Sequence, residues 1–215
     1  MRSEPVLNVI RAYDDWIVRA YCWGRFWILR QRFLDEVGQY LPRQGRVLDL
    51  GCGFGLFSLY YASVHPALEI DGIDLSARRI AMARQAAERL GLHNVRYEVG
   101  NATEFRGGRL FDAAYMLDII HHIPAETVRP LLDQLAKVLP AGGRLIIKDV
   151  DTHPAWKRWF THALDLLMDP GTPVRYWGGM ELQRVLEEIG FTVYRHLMVD
   201  ILPYPHILYV CERRP

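Results

Sequence analysis

Between residues 46 and 150, short strand-like runs alternate with helical stripes, and that rhythm restricts the chain to very few architectures. Residues 46–50 (RVLDL) are apolar up to an acid and a glycine cluster, as in a buried parallel strand. A helix is predicted from Phe54 to Val64. Residues 69–74 (EIDGID) read as the next strand, after which Ser76 caps a helix with Ile80, Ala83, Ala87 and Leu90 on one face and Gly91 at its end. Residues 95–99 (VRYEV), 112–118 (DAAYMLD) and 144–150 (RLIIKDV) supply further strands. Between the last two, Val128, Leu131, Leu132, Leu135 and Val138 form a helical stripe stopped by Pro140 and Gly142-Gly143.

Beyond residue 150 the rhythm changes. Helices are predicted over 154–168 and 180–189, the second carrying Leu182, Val185, Leu186 and Ile189 and ending at Gly190. Strands over 191–199 and 206–211 follow, joined by the short, proline-containing Asp200–Pro205 segment as an antiparallel hairpin. Residues 1–41 read as amphipathic, aromatic-rich helix. The expected fold is therefore α/β: a doubly wound, mostly parallel seven-stranded sheet with a C-terminal antiparallel hairpin and N-terminal helices. It is expected as one domain over 1–215, with an N-terminal helical arm (1–41), a core (46–150), a helical insert or lid (151–190) and a terminal hairpin (191–215).

Composition narrows the function classes. A chain of 215 residues buries roughly 70% of its unfolded surface and needs no metal or disulfide to fold. Its 26 Lys and Arg nearly match 25 Asp and Glu, which argues against nucleic-acid wrapping, where clustered positive charge supplies the affinity. Three scattered cysteines (Cys22, Cys52, Cys211) suit a reducing compartment, and a cytoplasmic location is expected. Arg2, Glu4 and Pro5 speak against a cleavable signal, and no uncharged apolar run reaches the ~18 residues of a membrane span.

The loop after the first strand, Gly51-Cys52-Gly53-Phe54-Gly55, opens a helix, where glycines admit close approach and free N–H groups face the ligand. A dinucleotide loop would want GxGxxG, but the sixth position is Leu56 counted from Gly51 and Ser58 counted from Gly53. Asp49 would repel a pyrophosphate and suits a ligand bearing an ammonium or sulfonium. Asp74, at the end of the second strand, suits the two hydroxyls of a ribose. In this ordered set the chain resembles the class I S-adenosylmethionine-dependent methyltransferases of Rossmann-like fold. LDLGCGFG resembles their first motif, GIDLS their second, FDAAYMLDIIHHI their fourth, and LPAGGRLIIKDV the strand after it.

The resemblance implies S-adenosyl-L-methionine as cofactor. By position, Gly51, Gly53 and Gly55 would line its methionyl part with Asp49 beneath, and Cys52 belongs to the same loop. Asp74 would hold the ribose, Leu75 would pack on the adenine, and Asn101, followed by Ala102, would meet the adenine amino group where the family often has Asp. Asp118 would face the methyl-donor end.

Alignment of acceptor and methyl supplies much of such a reaction's rate, and a hydroxyl acceptor also benefits from a base. Asp118, His121 and His122 are the candidates, with one of the adjacent histidines expected to point inward. Lys148, a charge in an apolar strand, should pair with Asp149 or Asp118, or else orient an acidic substrate. The run Asp149, Asp151, His153 lacks zinc spacing, so no metal is expected.

All six tryptophans lie outside residues 46–150. In the resembled family the flanks cover the acceptor, so Trp23, Trp27, Tyr176 and Tyr204 are candidate substrate residues together with Lys148. A small apolar or aromatic acceptor follows, with oxygen the favoured acceptor atom. The base-flipping N/D-P-P-Y/F motif is replaced by LDII, again against nucleic acid. The arginines and tryptophans of the arm also suit a membrane surface or partner protein. Two other functions compete: an NAD(P)-dependent oxidoreductase, and a non-catalytic cofactor- or partner-binding member of the same fold.

Overall fold

The computed structural model describes residues 3–150, 177–198 and 206–215. The chain divides into two compact units, Met1–Ala102 with Phe111–Tyr115, and Thr103–Leu110 with Met116–Pro215.

The first unit holds helices α1 (Glu4–Arg11) and α2 (Trp16–Gly38), then β1 (Gly45–Leu50), α3 (Leu56–Val64), β2 (Leu68–Asp74), α4 (Ala77–Arg89) and β3 (Val95–Val99). Strand β4 (Ala113–Leu117) begins in it and ends in the second unit. Residues 47–50 of β1 are all buried, as an apolar run covered on both faces requires. Parallel pairing sets Asp49 opposite Gly72 of β2 on one side and Tyr115 of β4 on the other, and Asp74 opposite Val99 of β3. The polar ends of these strands thereby line up at one end of the sheet.

Local chemistry explains the helix limits. The Ser76 side chain accepts from Arg79 N at 3.3 Å and starts α4. At its other end, Leu92 N donates to Ala87 O and Gly91 N to Glu88 O, a paired closure that satisfies two of the last carbonyls. The buried face is Ile80, Ala83, Ala86 and Ala87; Leu90, expected on it, is half-buried as the C-cap, the last residue before Gly91 turns to a left-handed φ of 64°. Asp15 caps α2 by accepting from Ile17 N at 2.8 Å and Val18 N at 3.4 Å. That helix breaks at Arg30, whose φ of 53° and ψ of 171° are not helical.

The second unit holds a 3₁₀ turn over Ile120–His122, α5 (Ala125–Val138), β5 (Arg144–Val150), α6 (Gly179–Ile189), β6 (Phe191–Leu197) and β7 (His206–Arg213). The stripe Val128, Leu131, Leu132, Leu135 and Val138 is buried as its spacing requires. Strand β7 runs antiparallel to both β5 (Lys148 opposite Leu208) and β6 (Leu197 opposite Ile207), so the C-terminal hairpin is antiparallel.

The strand order is β3-β2-β1-β4-β5-β7-β6, a mixed seven-stranded sheet that is mostly parallel. This is the α/β architecture the sequence implies. The expected 154–168 helix and the 200–205 turn lie outside the described residues. Among the described residues, no helix is long and apolar enough to cross a membrane.

Candidate functional site

In the first unit, β1 delivers its last acid into the interior and the chain then turns through the glycine loop. Gly51 N and Cys52 N both donate to Ile73 O, at 2.8 and 3.1 Å, which ties the loop to the end of β2. Asp74 finishes the tie: Oδ2 accepts from Gly53 N at 2.8 Å and Oδ1 from Ser76 N at 2.9 Å. Each carboxylate oxygen has a second lone pair, so Asp74 retains acceptor capacity for a diol. From the arm, the Tyr13 hydroxyl donates to Phe54 O at 2.8 Å, fixing the loop's other side.

Two glycines are required here by space. At Gly55, φ is 78° and an added Cβ would collide with the Tyr97 ring, 2.8 Å from Cζ. At Gly72 an added Cβ would lie 2.6 Å from Tyr97 Cδ1 and 3.0 Å from Cys52 Sγ. Tyr97 is thus the post around which loop and β2 close, and its hydroxyl meets Ser58 Oγ at 3.0 Å. Gly53 differs: nothing lies within 4 Å of an added Cβ, so the loop is open at its middle.

Asp49 is the electrostatic centre of this unit. It is 3% exposed, and its Oδ2 has no hydrogen-bond partner among the described residues. Burial pushes its carboxyl up to about 7; the nearby Tyr115 and Ser58 hydroxyls pull it back without reaching Oδ2, and the negative Asp74 adds to the rise. A buried carboxylate oxygen left without a donor beside an open glycine loop fits the ammonium of a methionyl group, so these residues could hold S-adenosylmethionine. Cys52 is buried, its thiol raised by desolvation first and by Asp49 and Asp74 next. At the ends of the neighbouring strands, Asn101 and Ala102 are half-buried and Leu75 is 71% exposed, a free apolar surface of the kind an adenine stacks on. Trp23 and Trp27 are about half exposed on α2, at 51% and 48%.

The second unit gathers the polar residues that follow β4. Asp118 holds a left-handed φ of 58°, costly for a residue with a Cβ and held by what surrounds it. Its N donates to Lys148 O at 2.9 Å, and its Oδ1 accepts from Lys148 Nζ. Lys148 is fully buried, which makes the ion pair its condition for sitting in β5. Asp149, next along the strand, engages His121: Oδ2 accepts from His121 N at 3.1 Å and Oδ1 pairs with Nδ1. A proton on Nδ1 shared with Asp149 leaves Nε2 as the acceptor nitrogen of the imidazole. His121 is the inward member of the pair, 3% exposed, with its ring 4.1 Å from that of the half-buried His122.

The acid, loop and ribose-type acid are thus brought together in the first unit, and the expected catalytic residues in the second. Of Lys148's candidate partners, Asp118 takes the Nζ contact. The sequence offers Asp149 as a partner for Lys148 or a metal; the structure pairs it with His121. The alternation of β5 turns residues 148 and 149 to opposite faces, which calls for separate partners but does not name them. Tyr176, Tyr204, Asp151 and His153 lie outside the described residues.

Residues 24–196 match the family described as Methyltransferase domain. An O-methyltransferase of Penicillium expansum, cnsE, is 33% identical over 132 residues, 59% of this chain and 47% of that protein. The chain thus spans about half of that relative's length. The O-methyltransferase rstn1 of Aspergillus nomiae is 28% identical over 172 residues, 77% of this chain and 73% of its own. Among solved structures, an O-methyltransferase family protein from Burkholderia thailandensis superposes with a TM-score of 0.71 at 20% identity, covering 86% of this chain and 56% of that one. With the match over residues 24–196 spanning most of its length, the chain belongs to the methyltransferase-domain family, S-adenosylmethionine-dependent enzymes of Rossmann-like class I fold.

Proposed function

We propose that the protein methylates an oxygen of a small, fairly hydrophobic acceptor such as a phenol, an acid or a lipid-like biosynthetic intermediate. The observation that carries the cofactor half is the buried Asp49 oxygen without a donor beside the open Gly53. S-adenosylmethionine, when bound, supplies an electrophilic methyl group. Asp49 would hold its ammonium, Gly51, Cys52, Gly53 and Gly55 would lie along the methionyl chain, and Asp74 would accept from the ribose hydroxyls. Leu75, Asn101 and Ala102 would receive the adenine.

The acceptor half rests on His121. Its Nδ1 is committed to Asp149, so Nε2 would take the proton released from an acceptor hydroxyl, and the Asp149 carboxylate would stabilise the imidazolium so formed. The Asp118–Lys148 pair holds the end of β4, from which the histidine turn departs. Lys148 acts structurally in this reading, because Asp118 already takes its ammonium. Trp23 and Trp27 would offer an aromatic face to the acceptor, and the O-methyltransferase relatives support oxygen as the acceptor atom. Tyr176 and Tyr204 are proposed with them on sequence position. We place the protein in the cytoplasm with no nucleic-acid substrate, supported by three free, buried thiols and a net charge of +1.

Titration calorimetry with S-adenosylmethionine, S-adenosylhomocysteine and NADH tests the cofactor half, and a product-mass screen over phenols and acyl intermediates tests the acceptor half. Binding of the first two ligands and a mass gain of one methyl on a hydroxylated acceptor are expected. NADH binding with no response to the others would overturn the reading. Cofactor binding without turnover on any acceptor would point to the non-catalytic alternative.

A further inference from the structure

One helix face of the first unit extends beyond Trp23 and Trp27, the two residues of it proposed to meet the acceptor. Along α2, Trp16, Ala20, Trp23 and Trp27 recur at i, i+4, i+7 and i+11, one face of the helix up to its break at Arg30. All four are exposed, Trp16 by 75%, and Ile17 beside them by 59%. The opposite face, Val18, Cys22, Phe26 and Leu29, is buried and anchors the helix to its own unit. Trp16 and Ile17 therefore stand outside the packing that sets the helix in place.

The same stretch of chain is basic. Between Asp15 and Asp35 the chain carries Arg19, Arg25, Arg30 and Arg32 and not one acid, although the whole chain is only +1. The acids at the start of the helix do not offset this excess, because Asp15 caps α2 and pairs with Arg78, and Asp14 pairs with Arg89. Arg19 is held beside the face by carbonyls, its guanidinium donating to Tyr13 O and to Arg11 O. At the far end, Asp35 accepts from Gln31.

Tryptophans in a row, with arginines in the same stretch of chain, combine the two forces that seat a helix in a lipid headgroup layer: indoles favour the interface, and guanidinium groups favour anionic lipid. We infer that the outward face of α2 docks on an anionic lipid surface. The inference does not depend on the methyltransferase reading, since it uses only the helix and its charges. Docking would bring a lipid-like acceptor to the protein by lateral diffusion.

The test is co-sedimentation of the full chain with phosphatidylcholine vesicles and with vesicles that also carry phosphatidylglycerol, with tryptophan emission read in parallel. Binding to the phosphatidylglycerol vesicles with a blue shift, weakened by salt, is expected. The pair Trp16→Ala with Ile17→Ser alters only exposed side chains and should weaken partition about tenfold or more, with an unchanged melting curve. Arg30→Gln and Arg32→Gln should each weaken it roughly fivefold. Absence of binding to either vesicle, equal binding to both, or wild-type binding by the Trp16/Ile17 variant overturns the inference. So does a concentration-dependent dimer that the same variant abolishes in the absence of vesicle binding, which would give the face to a second copy.

Discussion

At the residue scale, the most informative group is Asp49. Burial holds its carboxyl at about 7, above the ordinary 3.8. The folded chain therefore keeps a proton that the unfolded chain releases between those values. Its contribution to stability is present below about pH 4 and is lost as pH rises through about 7, roughly 4 kcal/mol in all. A bound ammonium favours the carboxylate form, so cofactor affinity should rise with pH through about 7 as the competing proton leaves. In Asp49→Asn both slopes should flatten: the unliganded variant gains stability relative to wild type at about pH 8, and the cofactor binds roughly 1–3 kcal/mol more weakly. Melting curves and calorimetric titrations across pH read the two effects separately, and an unchanged affinity slope in the variant would remove Asp49 from cofactor binding. His121 and Asp149 make a second case. Asp149→Asn should lower kcat roughly 100-fold or more and change the pH–rate profile, with cofactor affinity near wild type; an unaltered profile would leave the pair a purely structural contact. Asp49 and the loop were legible in the sequence because seven consecutive residues carry them. The His121–Asp149 contact spans 28 residues and was not, because it depends on how a 3₁₀ turn aims a side chain at a neighbouring strand.

At the scale of elements, packing around Tyr97 shows why the glycines recur. Strand β2 passes so close to that ring that Gly72 has no room for a methyl group, and Gly55 meets the same ring from the loop side. Gly72→Ala should therefore cost about 1–3 kcal/mol through overpacking, seen as a lower melting temperature. Shrinking the post in Gly72→Ala/Tyr97→Leu should recover part of that loss beyond what Tyr97→Leu alone predicts; strictly additive losses would show that the clash is not with Tyr97. The strands and α4–α5 could be read in advance because each carries its own periodicity and its own stop, as β3 does at Val95–Val99. The break in α2 could not. Its apolar residues suit one continuous helix, and nothing in the spacing of Trp27, Ile28 and Leu29 marks Arg30 as the residue that leaves helical geometry.

At the scale of the whole molecule, the distribution of aromatic residues and the distribution of ligand contacts complement each other. The tryptophan-free middle of the chain supplies every residue proposed to hold the cofactor, and all of these except Asp118 belong to one compact unit. Binding energy should therefore enter through a few loops rather than through the aromatic flanks. A ligand present at about 100 times its dissociation constant stabilises the native state by about 2.7 kcal/mol. For a chain of 215 residues this amounts to a rise of about 5–10 °C in melting temperature. S-adenosylhomocysteine should produce that rise, and NADH should not. Hydrogen exchange locates the effect: residues 51–55 and 74–76, whose amides form the loop, should gain the most protection. Protection confined to α2 and its tryptophans, with 51–55 unchanged, would move the cofactor away from the glycine loop. The acceptor should behave differently, since the aromatic surface offered by Trp23 and Trp27 lies outside that loop. An acceptor found by mass screening should therefore quench tryptophan emission while leaving loop exchange nearly as it was.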